Sequence, residues 1–132
     1  MRHGILGTAL VLASLAAEAH HSIAAVYDSA REQRLEAVVA EFQFVNPHPF
    51  VIVTVQEDGA ATSWRLEMDN RFELAGVGMT ETTLKPGDRV VVTGSVGRIE
   101  PRTLYIRQLD RPADGFRYEQ VGSRPRVSTT HR

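Results

Sequence analysis

Arg31-Glu32-Gln33-Arg34-Leu35-Glu36-Ala37-Val38-Val39-Ala40-Glu41-Phe42-Gln43-Phe44-Val45 is the stretch on which the fold turns. Leu35, Ala37 and Val39 share one parity, and Phe42 and Phe44 take the other. A strand points successive side chains to opposite faces. A change of parity therefore predicts an inserted residue, a bulge or strong bend between Val39 and Phe42. A helix over Arg31 to Glu41 competes, because Ala, Glu and Arg favour helix; the strand is the reading adopted.

The rest of the chain extends this β pattern. Asn46-Pro47-His48-Pro49 breaks the first strand, since proline cannot donate to a sheet ladder. Phe50 to Val55 is β-branched and predicts a second strand, and Glu57-Asp58-Gly59 signals a turn. From Ser63 to Met68 the pattern alternates, with Trp64, Leu66 and Met68 on one side and Arg65 and Glu67 on the other. Asn70 predicts the cap of a short helix, with Glu73 reaching back and Gly76 or Gly78 ending it. Lys85-Pro86-Gly87-Asp88 fits a type II turn. Arg89 to Val96 and Thr103 to Leu109 are a fourth and a fifth strand. Trp64, Leu66, Val90, Val92, Leu104 and Ile106 are the expected core. Beyond Arg111 the chain carries Gly, Pro, Ser, Thr and Arg without a clear period, which predicts a mobile Arg-rich tail over 111–132. The expected fold is all-β with one short helix: a small five-stranded OB-like Greek-key barrel over 20–110.

Composition narrows the function. Residues 1–19 have the form of a signal peptide: Arg2 and His3, an uncharged apolar run from Gly4 to Ala17, then Ala17-Glu18-Ala19. The run is short for a membrane span. Cleavage after Ala19 makes the protein periplasmic or secreted, with His20-His21-Ser22 at its start. With no cysteine in the chain, disulfides, thiolate catalysis and Cys-ligated metals are excluded. A net charge of −1 gives no bulk pull toward nucleic acid or anionic membrane. The five arginines between 111 and 132 face only two carboxylates, so the basic charge gathers at the end.

His20-His21-Ser22 behind a signal, Asn46-Pro47-His48, Trp64 in an alternating strand and Leu84-Lys85-Pro86-Gly87-Asp88 together resemble the bacterial exported proteins of domain-of-unknown-function family 6152. The resemblance covers the chain up to about Asp110. It implies an exported small β-domain and supplies no activity.

Four histidines remain after cleavage: His20, His21, His48 and His131. Imidazole is the commonest neutral metal ligand, and a terminal amine with a pKa near ~8 joins it when deprotonated. His20, His21 and His48 are the candidate metal ligands. Nitrogen-rich ligation suits Cu(II) first, with Zn and Ni behind. A solvated flexible terminus and a turn histidine are the plainer readings of the same residues. The alternative function is a non-metal interaction module, binding an envelope glycan or partner protein on the barrel face through Asn46, Phe50, Trp64, Arg65 and Glu67. Trp64 also reads as core, and Glu67 with Asp69 as a carboxylate pair or, more plainly, a solvated strand face. No phosphate loop, nucleophile elbow or His-Glu-x-x-His is present, so a binding protein is expected rather than an enzyme, without an organic cofactor.

Overall fold

The computed structural model describes residues 23–130. The expected signal segment, His20, His21 and His131 lie outside the described residues. Residues 23–26 are helical and lead into β1 (Tyr27–Gln43). Then follow β2 (Phe50–Glu57), β3 (Ala60–Glu67), a short helix (Arg71–Gly76), β4 (Arg89–Gly97), β5 (Thr103–Arg111), β6 (Phe116–Val121) and β7 (Arg124–Thr129).

All seven strands join one sheet in the order β3-β2-β1-β4-β5-β6-β7, and β3 pairs in addition with β5. Five strands were expected, and seven is the correction. The class is as expected: mostly β, with one short helix between the third and fourth strands. The parallel β3–β5 ladder runs from Arg65↔Thr103 to Glu67↔Tyr105, and all other neighbours are antiparallel. β3 meets β5 at residues 103–105, and β6 meets it at residues 108–111, so these two partners take successive stretches of β5.

The parity change in β1 is a bulge. Val39 pairs with Val53 and Glu41 with Ile52, leaving Ala40 as the extra residue. Leu35, Ala37 and Val39 are buried before it, and Phe42 and Phe44 pack against the core after it. The Lys85–Asp88 turn docks on the same strand. Gly87 takes φ 92°, the left-handed conformation that a type II turn demands at this position, and its N–H donates to the Val39 carbonyl at 2.8 Å. A second irregularity lies between Asp28 and Glu32. It leaves Tyr27 paired with Gly97 and buried.

Trp64, Leu66, Val90, Val92, Leu104 and Ile106 are all buried in one cluster, as their shared parity predicts. The helix is capped by Asn70, whose side chain accepts from the Phe72 N–H at 2.7 Å. The Asn70 N–H is taken by Asp69 Oδ1 at 2.8 Å, the position in which Glu73 was expected.

The expected mobile tail is corrected. Residues 116–129 form the β6–β7 hairpin, with Phe116 and Tyr118 buried in the core cluster. Phe116, Tyr118 and Gln120 alternate inward. The polar Gln120 at the third inward position hides an otherwise regular period-two pattern.

Candidate functional site

A transverse row of residues crosses the sheet at the end of β3. Phe50 pairs with Glu67, Glu67 with Tyr105, and Tyr105 with Ser95. Three of the four are polar or carry a polar tip. The turn after β1 brings His48 to this row. Arg71 donates its N–H to the Pro47 carbonyl at 3.0 Å, and Met68 donates to Pro49 at 2.9 Å. The turn is thereby stapled to the segment between β3 and the helix.

His48 Nδ1 lies 3.0 Å from the Met68 carbonyl and 3.2 Å from Glu67 Oε1. Both neighbours are acceptors, so Nδ1 carries the proton and shares it between them. In the neutral ring this leaves Nε2 with its lone pair. Tyr27 donates its hydroxyl to the other Glu67 oxygen, Oε2, at 2.6 Å. The hydrogen bond to Glu67 raises the His48 pKa above its ordinary 6.5 against the opposing effect of burial. Burial works against the Glu67 carboxylate, but the hydrogen bonds from His48 and Tyr27 outweigh it and hold the pKa below its ordinary value. Burial, then the bond to Glu67, pushes the Tyr27 hydroxyl well up, so it remains a proton donor.

Tyr27 and His48 border a cavity of about 330 Å³. His48, Asp69, Asn70 and Glu73 line one side, and Ser95, Arg98, Tyr105 and Arg107 another. Gly122 and Ser123 of the β6–β7 turn, with Ile23 and Ala24 at the start of the described chain, complete it. Arg98 ties that start down. Its N–H donates to the Val26 carbonyl at 2.8 Å, and its Nε to the Ala24 carbonyl at 3.0 Å. Asp69 is held from the hairpin: Gln120 Nε2 donates to Asp69 Oδ2 at 2.6 Å, and the buried Tyr118 hydroxyl donates to Gln120 Oε1 at 2.6 Å. The Tyr27 and Tyr105 rings lie 5.8 Å apart, and the Arg107 guanidinium sits 5.0 Å over Tyr105.

Of the expected site residues, the structure brings His48 and Glu67 together. Asn46 is exposed on the turn beside them and does not line the cavity. Phe50 and Arg65 do share the outer face, but the Arg65 guanidinium covers the Phe50 ring at 3.4 Å, so that face of the ring is already occupied. Trp64 is no surface residue: it is buried, and its Nε1 donates to Glu57 Oε1 at 2.9 Å. Glu67 and Asp69 are likewise not a solvated face: His48 and Tyr27 hold Glu67, and Asp69 lines the cavity with its oxygens taken by Asn70 and Gln120. Among the described residues, no three His, Cys, Asp or Glu side chains gather closely enough to hold a metal ion. His48 is the one expected metal ligand within that part of the chain.

Tyr27, Asp69, Tyr105, Arg107 and Gln120 belong to the site without having been expected there. Tyr27 meets Glu67 across 40 positions of sequence. Such a contact follows from the β1–β4–β5–β3 pairing and leaves no local signal. The sole available hint was the even spacing of Glu67 and Asp69 about the buried Met68.

None of the described helices is long and apolar enough to cross a membrane. No curated protein and no solved structure matches the chain. The model of a family of unknown function, DUF6152, matches residues 9–103, from the segment before the described part to the start of β5, and the chain belongs to that family.

Proposed function

We propose that this protein is an exported binding protein that holds a metal ion, Cu(II) first, between the histidines at its mature start and His48. Cleavage after Ala19 would leave His20 as the terminal residue, with amine and imidazole in one chelate. The observation that carries the reading is that Ile23 lines the same cavity as His48. His20 stands three residues before Ile23, a chain reach of at most about 11 Å. Glu67 and the Met68 carbonyl hold His48 by Nδ1, the arrangement in which an outer carboxylate fixes the ring and leaves Nε2 to ligate. The cyclic pairing β1–β2–β3–β5–β4 supports an OB-type barrel reading of the first five strands, with β6–β7 as an added hairpin.

Calorimetry with Cu(II) on protein beginning at His20 tests the reading. His48→Ala is expected to weaken binding at least tenfold, about 1.4 kcal/mol. One extra residue before His20 is expected to do the same, because it removes the amine from the chelate. Affinity falls with pH as protons compete for the imidazoles, and the raised His48 pKa starts that loss above pH 6.5. Binding no tighter than that of a free His-His-Ser peptide, and indifferent to His48→Ala, would sink the proposal.

A further inference from the structure

Within the same cavity, Arg107 has a different chemistry from the histidine. It is half-buried on β5, and its guanidinium is fixed from two sides. Nε lies 3.4 Å from Ser95 Oγ, and Cζ stands 5.0 Å over the centroid of the Tyr105 ring, within cation–π reach. Its two terminal nitrogens have no hydrogen-bond or ion-pair partner among the described residues. The nearby carboxylates are committed elsewhere. Both Glu67 oxygens are taken by His48 and Tyr27, and both Asp69 oxygens by Asn70 and Gln120. Glu73 lines the cavity from its exposed helix position without forming an ion pair to Arg107. A guanidinium presents a planar fork that matches a carboxylate with two parallel hydrogen bonds. Holding it over the ring and by Nε removes much of the side-chain entropy that binding otherwise costs. A cavity of about 330 Å³ has room for a molecule of several carbons.

We propose that this cavity binds a small organic carboxylate, gripped by the outer nitrogens of Arg107. The inference shares the cavity with the metal reading but does not depend on the metal, and its test is run in the presence of a chelator. The probe is succinate, titrated into the mature protein and followed by NMR and calorimetry. Succinate is expected to bind, with the largest amide shifts at Ser95, Tyr105, Arg107 and Ser123. Succinamide, which keeps the shape and lacks the charge, is expected to bind at least tenfold more weakly. Arg107→Lys keeps the positive charge and loses the fork; it is expected to weaken succinate at least tenfold. Thermal unfolding of that variant checks that it folds, and the wild-type shift map stands without it. Shifts centred away from the cavity, an undiminished affinity in a folded Arg107→Lys protein, or inorganic phosphate bound as tightly as succinate would each overturn the assignment. Failure of Cu(II) binding alone leaves it standing.

Discussion

The two faces of β3 and its continuation to Asp69 are built on opposite rules. Trp64, Leu66 and Met68 point into the core and are buried among aliphatic neighbours. Arg65, Glu67 and Asp69 point the other way, yet two of them are drawn out of water by groups from distant parts of the chain. On the inner face the energy comes from removing apolar area from water, which needs only the right parity and volume. On the outer face each polar atom needs a named partner at the right distance, because a half-buried carboxylate without one is costly. The first face tolerates conservative exchange; the second is specified atom by atom.

The largest break in that comparison is expected on the inner face. Leu66 is fully buried, and Leu66→Ala should cost about 2–5 kcal/mol in chemical denaturation. A loss below about 0.5 kcal/mol would show that volume does not govern this face. The next effect comes from the polar chain behind Asp69. Tyr118→Phe removes one hydroxyl and leaves Gln120 Oε1 buried without its donor, at a cost of about 1–3 kcal/mol. An unchanged midpoint would mean that the hairpin contributes only its ring packing.

The smallest effect is the pH dependence of the His48–Glu67 pair. The folded His48 pKa lies above its ordinary 6.5, so its contribution is complete below that value and fades as pH rises through the raised one. The folded Glu67 pKa lies below its ordinary 4.5, so its contribution is complete above that value and fades as pH falls through the lowered one. The pair therefore stabilises most between pH 4.5 and 6.5. The gap between wild type and Glu67→Gln, which keeps an acceptor for Tyr27, is expected to be about 1 kcal/mol there and smaller at pH 9. A gap that widens at pH 9 would reverse the assignment of charges.

The same division explains what could be read from the residues alone. Parity along Leu35 to Phe44 located the bulge, and parity in three strands located the core, because both are local consequences of a period of two. The Lys85–Asp88 turn was legible because proline and glycine fix its dihedral angles. The β6–β7 hairpin escaped notice because Gln120 occupies an inward position that the pattern reserves for an apolar residue. The site was legible only at His48 and Glu67. Its other members come from Tyr27, from β5 and from the hairpin, and nothing in their own neighbourhoods marks them. Trp64, read both as core and as part of the binding face, belongs to the core, with its indole donating to Glu57.

The chain of bonds from Tyr118 through Gln120 to Asp69 has a thermodynamic consequence. Fraying of β6–β7 would strip Asp69 of its Gln120 donor and take Gly122 and Ser123 out of the cavity wall, so the hairpin and the wall open as one cooperative unit. Any molecule that binds only the closed cavity must then add its own binding free energy to the stability of that unit. Occupancy at the mouth of the sheet would thus be felt as slower amide exchange in the last two strands, far along the sequence from His48.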